Sequence, residues 1–327
     1  MVISINHVFF SKLIFLLDVI FLVGILIAVA YFTLLERKVM ASVQRRLGPN
    51  VVGFYGFLQP LADGLKLLNK EIIIPQRANK LLFLLSPILT FFLSLLVWSF
   101  IPFSLSAVLV DADLSLLFIF FLSSLNVYGL ILAGWSSNSK YAFLGALRSG
   151  AQVISYELVF GFIVLLLAIV AQSFNLIDFM VVQLLSSWFS FLLWPITLLF
   201  FVVILAETNR APFDLAEAEA EIVAGYNVEY SSIIFAMFFL SEYAHMLMMS
   251  VLLVIFFMGG CGLAFLSFLF KISFVLLFFI FSRSALPRYR YDQLMALGWK
   301  VLLPFCFSYL VFLLGLSVFY VDGIGAR

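Results

Sequence analysis

The sequence predicts an all-α polytopic membrane protein, with eight transmembrane helices and an amphipathic helix lying in the interface on the inner side. Three observations carry this reading. Only 11% of the 327 residues are charged while 65% are hydrophobic, the apolar residues fall in runs of about 20, and the basic residues collect in alternate connecting loops. A soluble chain is about 45–50% apolar and about 25% charged, so this one lacks the polar groups to cover a surface facing water. Its mean hydropathy of +1.22 agrees. The formal net charge of +1 offers no global attraction to nucleic acid.

Runs long enough to cross a bilayer occupy residues 12–35, 81–103, 113–134, 148–171, 189–206, 231–257, 263–283 and 301–320. The first is read as a span rather than a cleavable leader, because the apolar run after Lys12 continues to about Leu35 with no small-residue cleavage pattern. Residues 174–188 are apolar but short and interrupted by Asp178, which reads as a connection with a surface helix. Gly259-Gly260 with Gly262 predicts a tight turn between the sixth and seventh spans. The loops 36–80, 135–148, 207–230 and 283–300 hold 15 of the 18 Lys and Arg residues. The positive-inside rule therefore assigns them to the cytoplasm or the organellar matrix, with both termini on the other side. Lys271, near the outer end of the seventh span, snorkels or serves as a buried counter-ion. Cys261 and Cys306, far apart in apolar surroundings, read as buried small hydrophobes rather than a disulfide, metal or iron–sulfur set. The whole chain, 1–327, reads as one integral-membrane domain. Phe is abundant, at 41 residues, and its T-rich codons point to an AT-rich organellar genome.

The first inner loop carries a local charge of +5, most of it ordinary juxtamembrane anchoring. After the turn at Gly48-Pro49, residues 56–71 set Leu58, Leu61, Leu65 and Leu68 at helical spacing, with Gln59, Asp63, Lys66 and Lys70 around the rest. That pattern predicts a helix in the interface plane, an anchor or the sill of an opening for a lipid-soluble molecule.

The third inner loop sets Glu207, Asp214, Glu217, Glu219, Glu221 and Glu229 against Arg210, a charge of −5. Asp214 and Glu217 fit a capping box. The remaining acids have no role in insertion and are repelled by anionic lipid, so they are read as a proton relay or a docking surface. Within the apolar runs, Glu157 and Glu242 stand out. An ionised acid at a helix centre costs about 2.5–3.5 kcal/mol, which makes each a functional candidate unless an Arg or Lys of another helix pairs with it. His245 shares a helical face with Glu242 and is read as a relay member or a hydrogen-bonded interior residue. With no phosphate-binding glycine loop, no nucleotide fingerprint, no Cys cluster and no nucleophile with a base, the chain carries no electrons alone.

Four stretches taken together resemble one family, membrane subunit 1 of NADH:ubiquinone oxidoreductase, respiratory complex I. They are LLERKVMASVQRRLGPNVVGFYGFLQPLADGLKLLNKE, SSNSKYAFLGALRSGAQVISYE, LAETNRAPFDLAEAEAEIVAGYNVEY and PRYRYDQLM. The resemblance covers about residues 31–300 and departs at His245, where the family more often has Asn. It implies eight transmembrane helices in the mitochondrial inner membrane, with the termini toward the intermembrane space. It also implies no cofactor on this chain, ubiquinone as substrate, and iron–sulfur clusters and FMN in the partner complex I subunits. Matched motif by motif, Glu36, Arg37, Asp63, Arg283 and Arg288 become polar groups near a quinone tunnel. Glu157, Glu207, Asp214, Glu217, Glu219, Glu221, Glu229 and Glu242 become an acidic proton path, with Arg148 and Arg210 as basic partners. Competing readings are a membrane anchor of a membrane-bound hydrogenase, a proton-coupled secondary transporter and a membrane scaffold. The transporter predicts paired internal repeats, which the sequence does not display, and a scaffold has no need of an acidic inner loop.

Overall fold

The computed structural model describes residues 2–105, 107–214, 225–262 and 265–325, with side chains described between residues 19 and 316 of these segments. Among the described residues all regular structure is helical, as in lipid every backbone group must find its partner within its own helix. Seven segments are long and apolar enough to cross a membrane. They belong to α1 (Val2–Val43), α3 (Lys80–Leu96), α4 (Ser115–Ser136), α5 (Lys140–Ala171), α9 (Ser232–Phe257), α10 (Phe265–Ala285) and the stretch from α11 (Tyr291–Ala296) into α12 (Leu303–Gly325). A single π-helical turn, Leu297–Leu302, joins the last two.

The predicted fifth span, 189–206, is not one long helix. It divides into a single turn α7 (Phe189–Leu192) and a 14-residue helix α8 (Trp194–Glu207). Leu193 between them leaves helical geometry, and Pro195 sits at the start of α8, where its missing N–H is harmless. At 1.5 Å per residue, α8 rises roughly 21 Å, short of the roughly 30 Å hydrocarbon core. The eight predicted spans are thus seven long helices and one short one. Residues 174–188 do contain a helix, α6 (Leu176–Leu185), which Asn175 caps by accepting from the Ile177 N–H at 2.9 Å.

Two helix ends lie beyond their predicted limits, and both matter to the site. α1 continues to Val43 through ERKVMASV, which has no Gly or Pro, so Glu36, Arg37 and Lys38 sit on its last turns. α5 starts at Lys140, which puts Arg148 on a helix rather than in a loop. The glycine turn is where the sequence places it, with Gly259 at φ 74° and Gly260 at φ 55°, values that suit a residue without Cβ.

α9 is the axis of the bundle. Of its most apolar stretch 83% is buried, against 17% for the last span. α1, α3 and α10 pack against it, and small residues let helices close in. A Cβ on Gly134 of α4 would lie 2.3 Å from that of Ala146 on α5. The end of α9 away from Glu242 is closed by Gln183 of α6. Its Nε2 donates to Ile255 O (2.8 Å) and Phe256 O (3.1 Å), and its Oε1 accepts from Gly259 N (2.9 Å). Lys271 helps at the same place, donating to Met258 O at 2.6 Å with Trp188 beneath it, so it caps a helix rather than neutralising a buried acid. Cys261 and Cys306 are both buried.

The interfacial helix is α2 (Gln59–Asn69), opened by Pro60. Leu58, Leu61, Leu65 and Leu68 are all exposed, a continuous apolar row suited to lipid. The backbone at its other end is tied to the start of α9, where Ser232 Oγ donates to Leu67 O at 3.1 Å.

Replacing Gln183 by Leu strands two carbonyls and two N–H groups, those of Gly259 and Phe189, in an apolar setting. The expected loss is about 2–4 kcal/mol, read as an earlier unfolding midpoint in a mixed-detergent titration.

Candidate functional site

Charged side chains from four elements converge around one guanidinium. The turn after α8 delivers Arg210. Asn209 takes a left-handed φ of 50°, and Arg210 N–H returns to Leu205 O at 3.1 Å, which closes the C-terminus of α8. Gln152 of α5 pins this turn from the side, its Nε2 donating to Ala206 O (2.8 Å) and Phe213 O (2.9 Å). Arg210 is therefore held by its backbone before its side chain makes any contact.

That side chain joins two carboxylates. Arg210 Nε lies 2.9 Å from Glu242 Oε1 of α9, and Arg210 Nη1 lies 3.3 Å from Glu36 Oε1 of α1. Arg283, in the last turn of α10, pairs with the same Glu36 oxygen. Tyr243 donates from its hydroxyl to Glu36 Oε2 at 2.5 Å, and its ring lies 4.7 Å below the Arg210 guanidinium. Glu36 and Arg210 are only 4% and 6% exposed. Two acids and two bases make the cluster neutral, which is the condition for keeping charge in so dry a place. The cavity beside Glu36 measures about 10 Å³, too small for any organic headgroup.

A second, polar chamber of about 40 Å³ lies on another side of Glu242, walled by Glu207, Asn209, Asn126, Ser123 and His245. Glu207 Oε2, Asn126 Oδ1 and Asn209 Oδ1 are buried without a hydrogen-bond partner among the described residues. Glu157 reaches Ser124 of α4 and is near enough for its charge to be felt at Glu207.

The other predicted residues are distributed around this centre. Arg37 and Asp63 form an exposed pair at 2.7 Å that joins α1 to α2. Arg288 reaches the buried Asp214 at 3.3 Å. Arg148 packs its guanidinium 6.0 Å from the Tyr291 ring. Glu229 makes no ion pair or hydrogen bond among the described residues. Glu217, Glu219 and Glu221 lie outside the described residues.

Glu36 and Arg283, expected with the tunnel, and Arg210 and Glu242, expected with the acidic path, thus form a single cluster. The pairing alternative raised for Glu242 is realised through Arg210. Sequence reasoning missed Tyr243 and Gln152. Their signals were a tyrosine beside an intramembrane acid and a glutamine inside an apolar helix.

A family model described as NADH dehydrogenase matches residues 17–314. The chain belongs to that family. It is 53% identical over 311 residues to NADH-ubiquinone oxidoreductase chain 1 of Chondrus crispus, covering 92% of this chain and 93% of the relative. The same-named protein of Arabidopsis thaliana is 54% identical over 306 residues, covering 90% and 94%. A bacterial relative, a subunit of the NADH-quinone oxidoreductase of Rickettsia prowazekii (strain Madrid E), is 50% identical over 314 residues, covering 92% of each. The resemblance read from the motifs is borne out, and the chain is a multi-pass membrane subunit of the NADH dehydrogenase family. With two separated, buried cysteines it has no thiolate set for an iron–sulfur cluster.

Arg210→Met leaves Glu36 with Arg283 alone and takes from Glu242 the base it pairs with, and is expected to destabilise the chain by about 3–5 kcal/mol. Adding Glu242→Gln should restore part of that stability. Unfolding midpoints of the single and double variants in mixed detergent check both outcomes.

Proposed function

We propose that this chain is the core membrane subunit of a proton-pumping NADH:ubiquinone oxidoreductase, forming most of the quinone-access tunnel and joining quinone reduction to proton movement. The observation that carries the reading is the shared guanidinium of Arg210, which links Glu36 on one side to Glu242 on the other. Glu36, Arg37, Asp63, Arg283 and Arg288 belong to the tunnel side. Glu157, Glu207, Asp214, Glu217, Glu219, Glu221, Glu229 and Glu242 form the acidic path, with Arg148 and Arg210 as its bases. A change of charge on either side alters the pull on Arg210, so the two sides answer to one another.

The chemistry divides naturally. Ubiquinone becomes ubiquinol by taking up two electrons and two protons. Partner subunits of the hydrophilic arm, carrying iron–sulfur clusters and FMN, supply the electrons at the headgroup. This chain supplies a lipid-facing entrance beside α2, a path of ionisable groups and a charge cluster that responds to reduction. Adjacent membrane-arm subunits take over the proton path. The basic inner loops face the mitochondrial matrix and both termini face the intermembrane space.

Glu36→Gln and Glu219→Gln should each lower NADH:ubiquinone reductase activity by about 10-fold or more. NADH oxidation by a hydrophilic artificial acceptor, which bypasses the quinone, should stay intact. Loss of both activities in a fully assembled complex would overturn the assignment.

A further inference from the structure

An apolar cavity of about 520 Å³ lies between α1, α9, α10 and the loop that follows α3. Its floor is Trp98, Ile101, Leu247 and Val251, all buried, while Phe265, Leu269 and Leu109 stand exposed at its rim, so it opens sideways on the lipid-facing surface. Phe103 closes one end. Its ring meets Phe21 of α1 edge-on at 5.0 Å and Phe268 of α10 edge-on at 6.3 Å, and stacks on Trp98 at 6.1 Å. The loop that carries it is folded back by two backbone bonds of 3.1 Å, Phe103 N–H to Ala107 O and Val110 N–H to Ser99 O. In the orientation proposed above this loop is an outer one, which sets the cavity in the outer leaflet.

α1 gives the cavity Gly24 and Ala28, one turn apart on one face. A glycine inside a helix costs stability relative to alanine, and elsewhere in this bundle close packing explains it. A Cβ on Gly134 or on Gly145 would come within 3 Å of a neighbouring helix or loop, at 2.3 and 2.8 Å. On Gly24 it would meet nothing within 4 Å among the described residues. The packing of the protein on itself does not call for glycine at this position. What the missing side chain preserves is the width of the cavity.

Size and surroundings select the occupant. An α-helix is about 10 Å across and rises 5.4 Å per turn, so little more than one turn would fill this volume and a crossing helix does not fit. The volume and the aromatic, aliphatic wall suit a small apolar ligand. Nor is the cavity continuous with the charged cluster along the seam of α1 and α9. One turn further along each helix, Phe32 meets Tyr243 edge-on at 5.7 Å, and the small cavity beside Glu36 begins only beyond Phe32. The roofing segment, residues 101–114, has two acids, Asp111 and Asp113, and no Lys or Arg. An anionic headgroup is repelled there, whereas an ammonium group is attracted.

We infer that this cavity holds one acyl chain of a zwitterionic phospholipid of the outer leaflet, seated on Gly24 and Ala28 beneath the Phe103 roof. The inference needs the chain in a bilayer in the stated orientation and does not depend on the quinone chemistry.

The test places the intact membrane complex in nanodiscs of phosphatidylglycerol that contain a varied small fraction of phosphatidylcholine with a photoreactive diazirine on one acyl chain. Labelling of the peptides that carry Gly24 and Val251 should saturate as the probe fraction rises. Labelling around Val311 and Phe312, exposed on α12, should rise in proportion to it. Gly24→Leu and Ala28→Leu each fill the cavity with a good helix former, and each should lower the cavity labelling about 10-fold while leaving that of α12 unchanged. Either variant suffices if the other fails to assemble, as judged by migration of the complex on a native gel. The KM for ubiquinone should stay at its wild-type value in both. Labelling that rises in proportion at both places, or that survives both substitutions, would overturn the site and leave ordinary boundary lipid. Displacement of the label by a long-tailed ubiquinone, with a raised KM in Gly24→Leu, would overturn it in favour of a quinone tail. A cross-link to a neighbouring subunit in place of the lipid label would make the surface a protein interface.

Discussion

A single buried cation organises the loop-bearing end of this molecule. Arg210 must satisfy Glu36 and Glu242 at once, and it can do so because a guanidinium is planar and donates in two directions. The acids come from α1 and α9, and the second base, Arg283, comes from α10. These three helices are thereby held in one register at the end of the bundle that carries the loops. In a low-dielectric interior none of the four charges is tolerable alone. The cluster is therefore as much a constraint on helix packing as a piece of chemistry.

The acidic loop is held at both ends by α5. Gln152 takes the carbonyls of Ala206 and Phe213 at one end. At the other, Gly145 meets Gly225 so closely that a Cβ would come within 2.8 Å of the Gly225 Cα. Gly145 and Gln152 are two helical turns apart, so both anchors lie on one face of one helix. The same face carries Tyr156, which donates to Leu294 O at 3.1 Å, bringing the last inner loop onto this scaffold as well. Beyond Gly225, Tyr230 fixes the chain by stacking on Phe83 at 4.1 Å and bonding Ser86, Ser136 and Ala133 O. Two loops thus share one rigid support.

Most of the membrane architecture was legible because lipid imposes a simple rule: a crossing helix needs about 20 apolar residues. The long helices, the glycine turn at 259–262 and the row of leucines on α2 followed from it. The exception, 189–206, had the composition of a span but not the backbone, since Leu193 leaves helical geometry just before Pro195. Helix ends were also harder to place than helices. The apolar run of α1 ends before Glu36, yet the helix continues through ERKVMASV, which has no Gly or Pro to stop it, and carries Glu36 into the cluster.

Apolar run length, the segregation of basic and acidic loops, and family motifs such as LAETNRAPFDLAEAEAEI are properties of neighbouring residues, and the sequence alone determined them. Which charges meet is not such a property. Glu36 and Arg210 are 174 positions apart, and Glu36 and Arg283 are 247 apart. Only the packing of α1, α9 and α10 around the turn after α8 selected those pairs. The polar chamber beside Glu242 is likewise a product of packing, because its wall draws Asn126 from α4, Glu207 from α8 and His245 from α9.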